Sequence, residues 1–271
     1  MLRVVCSGLA VAALLSIAGT GCVGAEEVRV GGTGSALGTL QLLAKAFSTR
    51  HPGIAVRFLP SLGSTGGVRA VGSGALDIAV TSRPLKPDEL RLDLSEIEFG
   101  RTPFVIAVAA SSPVLEISLA QLAAIYAGRQ TTWPDGSLIR VVLRPPSDSD
   151  SEILKAFSGE IREAVSLAEQ RPGLTVAVTD QDAADDLEKI PGAIGSTSLS
   201  LILSEQRGLR ALKLDDRIPS AANLGRGAYP YFKRLFLVMR AKRSTYTDTF
   251  IAFVRSPEGR KILTDSGYWL P

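Results

Sequence analysis

The sequence predicts an α/β protein of two lobes, each a mostly parallel sheet with helices on both faces. Three observations carry this. Strand-like and helix-like segments alternate from residue 26 with short loops between them, which is the pattern of parallel strands joined by crossover helices. "FVIAVAA" (104–110) is apolar throughout, as a strand buried on both faces must be. The alternation then restarts, and an extended segment near 228–236 leads back to two closing helices. A chain that leaves one block, builds a second and returns makes a hinged pair of lobes, with 26–107 and 231–271 in the first and 108–230 in the second.

The 271 residues suffice for two modest domains. With 45% hydrophobic and 21% charged residues the chain is globular. Its formal charge is +3, and no basic run of five or more residues occurs, so the electrostatic footprint of a nucleic-acid binder is missing. Residues 1–25 read as an export signal: "MLR" supplies positive charge and "VVCSGLAVAALLSIAG" an apolar run interrupted by glycine. Two exits are open. "GTGC" ending at Cys22 resembles a lipobox, with Gly19 where leucine is usual, whereas Val23 and Ala25 fit ordinary signal peptidase. The expected location is the periplasm or cell envelope, lipid-anchored through Cys22 on the first exit. The two cysteines, Cys6 and Cys22, both fall in this segment. The mature domain is left without an internal disulfide or a cysteine metal site, and export removes it from cytosolic nucleotide cofactors. No cofactor and no metal are expected.

The elements follow in order. "EVRVGG" is a strand, and "ALGTLQLLAKAFSTRH" has helical spacing ended by "HPG". "IAVRFLP", "GSTGGVRAVGSG" and "LDIAVTS" continue as strand, helix and strand. The second block runs through helix "LAQLAAIYAG", strand "IRVVLR", helices around 151–170, strand "LTVAVT", helix "AADDLEK" and strand "AIGSTS". "RLFLVMR" returns as a strand before "YTDTFIAFVRS" and "PEGRKILTDSG".

In "GGTGSALG" (31–38) a strand runs into a helix, where Gly34, Ser35 and Ala36 can offer backbone N–H groups to an anion. The glycine spacing is not that of a dinucleotide loop, and the second strand lacks the ribose-binding acid. The structural alternative is a tight turn with Ser35 as helix cap. "GSTGG" (63–67) repeats the device with Ser64 and Thr65. "TSRPL" (81–85) places Ser82 and Arg83 at a strand end, unless Arg83 points to solvent. "VVLR" places Arg144 at a strand end of the second lobe, where a guanidinium can face an oxyanion. Catalytic constellations are thin. His51 is the single histidine, at a helix end, and no Gly-x-Ser-x-Gly elbow is present. "SDSDS" and "TDQDAADD" (179–186) could take calcium, but acids in a first turn suit helix capping, and Ser149 with Glu152 reads as a capping box.

Taken together, "GTGSALGTLQLLAKAF", "GSTGGVRAVGSGALDIAVTSRPL", "LAQLAAIYAGRQTTWPDG" before "IRVVLRP", "IPGAIG" and "GYWLP" resemble the periplasmic phosphate-binding proteins of ABC importers. These are the PstS-type branch of the class II solute-binding fold, and the resemblance runs from about residue 29 to the end. It implies a monomer that captures phosphate or a similar oxyanion between the lobes and passes it to an ABC permease, without covalent chemistry. Ser35, the N–H of Ala36, Ser64 and Arg144 match the family's phosphate donors. Two departures follow from the same alignment. The family's acid falls on Ser82, and its Gly-Ser-Gly-Thr stretch falls on Ser147, Asp148, Ser149 and Asp150, give or take one residue.

A like-charge pair at ~4 Å and an effective dielectric near 20 costs about 4 kcal/mol, roughly a thousandfold in affinity. Three resolutions are open, in order of preference. The aspartates turn away as caps while Ser147 and Ser149 face the cleft. They pair with Arg144 or Arg83 and accept protons from a protonated oxyanion. Or the solute is not phosphate but a neutral, hydroxyl-rich or cationic molecule. A separate alternative keeps the fold but changes the ligand or makes the protein a sensor subunit. A reading of another class, an exported carboxylate-based or calcium-dependent hydrolase using Asp148, Asp150 and Asp180, lacks an identifiable base and nucleophile.

Overall fold

The computed structural model describes residues 26–271; residues 1–25, read above as an export signal, and Cys22 within them lie outside the described residues. Strand β1 (Glu26–Gly32) runs into α1 (Gly34–Arg50), β2 (Ile54–Ser61) into α2 (Gly63–Gly72), and then β3 (Ile78–Thr81) follows. β1 pairs in parallel with both β2 and β3. Apolar periodicity buries the two faces in turn. Leu40 and Phe47 of α1 join Val28 and Val30 on one face, and Val68 and Val71 of α2 pack with Ala79 on the other.

β4 (Leu94–Ala109) then crosses the whole molecule. Beyond it come β5 (Glu116–Ile117), α3 (Leu119–Tyr126), β6 (Arg140–Leu143), α4 (Ser149–Lys155), α5 (Gly159–Gln170), β7 (Thr175–Val176) and α6 (Asp180–Lys189). β8 (Ala193–Ser198), α7 (Leu199–Ser204), β9 (Leu209–Ala211), β10 (Lys213–Leu214) and α8 (Ala221–Gly225) complete the second block. β6 pairs in parallel with β7 and β8. Leu122, Ile125, Ile161 and Val165 of α3 and α5 cover one face, and Ala183, Leu187, Leu201 and Ile202 of α6 and α7 the other. β11 (Phe232–Arg240), α9 (Thr245–Val254) and α10 (Pro257–Asp265) return to the first block.

The strand order is β2-β1-β3-β11-β4-β8-β6-β7, with β9 also on β4. β11 lies antiparallel between β3 and β4, and β4 is antiparallel to β8. The parallel character is therefore confined to the outer strands of each lobe, because the chain must cross once and come back. Residues 94–103 were not expected as strand. "LSEIEFGRTP" carries three charges and a proline, and its pattern is hidden by pairing along and across strands: Glu98 takes hydrogen bonds from Arg101 of the same strand and from Arg234 of β11.

β4 pairs with β11 from Leu94 to Pro103 and with β8 from Phe104 to Ala107. By strand partners, residues 104–107, expected in the first lobe, belong to the second lobe's part of the sheet. No break in the strand marks the change, since one continuous strand serves both lobes. The return lies between Tyr231, whose carbonyl accepts from the Phe104 N–H, and Phe232, which pairs with Pro103. "LTVAVT" shortens to the two-residue edge strand β7, with Val178 exposed. Among the described residues no helix is long and apolar enough to cross a membrane.

Phe104 sits where the strand changes partners, fully buried and edge-on to Phe157 at 5.7 Å. Phe104→Ala should cost about 3–5 kcal/mol of stability, measured by urea denaturation at pH 7. A loss under about 1 kcal/mol would mean that the crossing is not a packed point.

Candidate ligand site in the cleft between the lobes

The strand ends of both lobes open on one gap. β1, β2 and β3 deliver Thr33 to Ser35, Ser64 and Ser82 from one side, and β6 delivers Arg144 and the first turn of α4 from the other. Gly63, at φ +65°, turns β2 into α2, and this left-handed conformation favours glycine. The Ser82 N–H donates to Ser64 Oγ at 3.0 Å, and the two hydroxyls lie 3.1 Å apart. Ser82 Oγ reaches Ser149 Oγ across the gap at 2.7 Å. Beside this hydroxyl chain is a cavity of about 440 Å³ lined by Thr65, Arg83, Lys86, Ser147, Asp148 and Ser149, among others.

Several expected residues are engaged differently. Arg83 does not point to solvent: its guanidinium forks onto Glu89 with both contacts at 2.7 Å and donates to Thr65 Oγ1 at 3.2 Å. Arg144, buried, spends Nη1 on the Ala177 carbonyl (3.0 Å) and Nη2 on Asp148 (3.2 Å), and only its Nε lacks a partner. Two-pronged presentation to a solute is thus not its state here. The cap of α4 is Asp148, which accepts from the Asp150 N–H at 2.9 Å; Ser149 is free to face Ser82 instead of closing a capping box. Ser35 is not a cap either, for its hydroxyl donates to Asp180 at 2.9 Å. Ala36 is buried among Leu40 and Val30 in the core. Gly34 lies beneath α6, where a Cβ would stand 2.8 Å from Asp180 Cβ.

The charge in the gap is arranged around Lys233, which has no exposed surface. Its Nζ lies 2.5 Å from Asp150 Oδ1, 3.3 Å from Asp180 Oδ1 and 2.8 Å from Ser35 Oγ. Asp180 also takes a hydrogen bond from Thr33 at 3.3 Å and lies 3.9 Å from Arg144. Burial would raise the Asp180 carboxyl, but Lys233, Arg144 and Ser35 outweigh it and hold it down at about 2. Asp150 goes the other way. Burial, aided by the nearby Asp180 and Asp148, pushes it up to about 6 despite Lys233.

The sequence reading thus assembled Ser35, Ser64, Ser82, Arg144, Asp148 and Ser149 around one gap and missed Lys233. A signal was available. Lys233 shares strand parity with Leu235, Leu237 and Met239, all buried, so period-2 alternation turns it inward. Asp150 and Asp180, suspected of holding calcium or serving catalysis, are taken up by Lys233. His51 stacks on Phe47 at 4.5 Å at the far end of α1.

Two α/β lobes joined by crossing strands, with hydroxyls and charges converging at the strand ends, define a cleft-binding protein. The chain belongs to the PBP superfamily, whose domain model matches residues 19–258. It is 22% identical over 213 residues to the phosphate-binding protein PstS of Borreliella burgdorferi, covering 76% of each chain. It is 28% identical over 107 residues to phosphate-binding protein PstS 2 of Streptococcus pneumoniae, a match that spans 40% of this chain and only 36% of that one. Its fold is that of a Clostridium perfringens protein assigned as a phosphate ABC transporter substrate-binding protein and solved with phosphate bound, with TM-score 0.76 and 22% identity over 91% of this chain and 100% of the other.

The two carboxyls give opposite pH dependences. Asp180, lowered on folding, contributes stability that is present above its unfolded value near 4 and lost as pH falls through about 2. Asp150, raised on folding, contributes stability that is present below about 4 and lost as pH rises through about 6. Wild-type stability should therefore fall by roughly 2–3 kcal/mol from this group between pH 4 and 7. Asp150→Asn should flatten that limb in urea melts taken across the range, and an unchanged slope would contradict the assignment.

Proposed function

We propose that this protein is an exported solute-binding protein that captures phosphate or a related oxyanion in the inter-lobe cleft and delivers it to an ABC permease. The observation that carries the reading is the hydroxyl chain Ser64–Ser82–Ser149, which runs from one lobe to the other along a cavity that Asp148, the partner of Arg144, also lines. The phosphate-binding relatives support the same solute class. Binding needs no covalent step, and among the described residues Asp150 and Asp180 are paired with Lys233 rather than with a nucleophile. The protein acts as a monomer in the periplasm or cell envelope. The lobes, expected as 26–107 with 231–271 and 108–230, are hinged where β4 changes partners after Pro103 and the chain returns between Tyr231 and Phe232.

In this reading Ser64, Ser82 and Ser149 donate to the oxyanion, with Ser147, Thr65 and Lys86 at the cavity wall, and Arg144 acts through Asp148, which it holds at that wall. Asp148 and Asp150 answer their misfit in an anion site by pairing with Arg144 and Lys233. A second reading, the same fold with another solute or a sensor role, is favoured by one observation. Three carboxylates, Asp148, Asp150 and Asp180, face only two cations in the cluster, Arg144 and Lys233. That excess of negative charge favours a protonated oxyanion or a neutral, hydroxyl-rich molecule.

Isothermal titration of the protein with phosphate, arsenate, sulfate and molybdate at pH 6 and pH 8 separates the readings. Phosphate should bind, and more tightly at pH 6, where Asp150 and the solute are both more protonated. Arg144→Ala should weaken it by at least about a hundredfold. No heat with any oxyanion at either pH would exclude this function, and unchanged binding by the variant would exclude the site.

A further inference from the structure

The half of the cleft at the start of α1 already has an occupant. α1 is 17 residues long, carries no acid in its first turn, and its N-cap residue Thr33 makes no side-chain cap bond. A long helix N-terminus without its own negative charge favours an anion. The anion present is the carboxylate of Asp180, which comes from α6 of the other lobe. It receives Ser35 Oγ at 2.9 Å, Thr33 Oγ1 at 3.3 Å and Lys233 Nζ at 3.3 Å, with Arg144 Nη2 at 3.9 Å. These donors, two hydroxyls, an ammonium and a guanidinium, are the set that would hold an oxyanion, and a side chain of the protein fills it. The approach is close on every side. Gly34 has no room for a Cβ under α6, and Gln181 Nε2 donates to the Gly34 carbonyl at 3.1 Å. Asp180 itself is 4% exposed.

We propose that Asp180 is a resident intramolecular ligand of the cleft: its carboxylate holds the seat at the start of α1 that a solute oxygen would otherwise take, and so latches the two lobes together without solute. Each of its bonds to Ser35 and Thr33 joins one lobe to the other. A solute is thereby confined to the Ser64–Ser82–Ser149 side, where the cavity of about 440 Å³ remains, or it must displace Asp180. The latch rests on the proposed function only for the identity of that solute.

The test compares wild type, Asp180→Asn and Ser35→Ala in phosphate-free buffer by small-angle scattering and amide hydrogen exchange. Asp180→Asn leaves Lys233 with Asp150 and Arg144 with Asp148, so both buried cations keep a carboxylate. It should raise the radius of gyration and speed exchange in the first turn of α1 by about tenfold or more. Ser35→Ala removes a donor without changing charge. It should shift both readouts in the same direction by less, and it decides the matter if the first variant does not fold. If solute-free variants keep the wild-type radius and protection, the latch is wrong. Phosphate titration of the same proteins addresses the solute separately. Removing the resident charge should tighten phosphate binding by about tenfold or more. Opening in Asp180→Asn with no phosphate binding in any variant would keep the latch and overturn the solute. Phosphate binding of equal strength in wild type and in a variant that stays closed would do the reverse.

Discussion

Lys233 is an ammonium group with no water around it. Moving such an ion out of water costs several kcal/mol even after relaxation, and only close opposite charges and hydrogen bonds offset that. Asp150, Asp180 and Ser35 supply them, and each comes from a different stretch of chain. β11 carries the cation, α4 and α6 of the second lobe carry the carboxylates, and α1 of the first carries the hydroxyl. Satisfying one buried charge therefore requires the two lobes to meet in one register. The rest of the cleft is arranged around that requirement. Arg144 is drawn to Asp148 and toward Asp180, and the Asp148 carboxylate that meets it also caps α4.

The crossing strands make the arrangement possible. β4 is shared between lobes, paired to β11 on one side of Pro103 and to β8 on the other. Lys233 pairs with Thr102, one residue short of that change, and so lies where both lobes can reach it. Its ammonium stands 5.7 Å from the Phe104 ring, which adds a favourable face while excluding water. The strand crossing and the charge cluster are thus one place in the structure.

Carboxylates can share a cleft with an oxyanion when cations lie among them and they differ from one another in proton affinity. Asp180 is held ionised by two cations and a hydroxyl, whereas burial leaves Asp150 close to neutral pH in its proton equilibrium. Net charge in the cleft then depends on pH as well as on the solute. The hydroxyl chain carries no charge and stays available at any pH, which suits it to the variable part of the task.

The amino-acid order alone determined the alternation of strands and helices, the two-block layout and the loops that meet at the gap, because these follow from local periodicity and from turn chemistry at Gly63 and Ser64. It also placed Arg144 and the α4 aspartates in the right region, since strand ends and helix starts can be read within a few residues. Tertiary structure decided the pairing. Lys233 is over 80 positions from Asp150 and over 50 from Asp180, and nothing local says which distant carboxylates will meet a buried cation. The extent of β4 was likewise settled by its partners, because Glu98 and Arg101 read as surface charges until Arg234 lies alongside. Charge sign is local information, whereas charge compensation depends on distance through the folded molecule, and only the closed chain defines that distance.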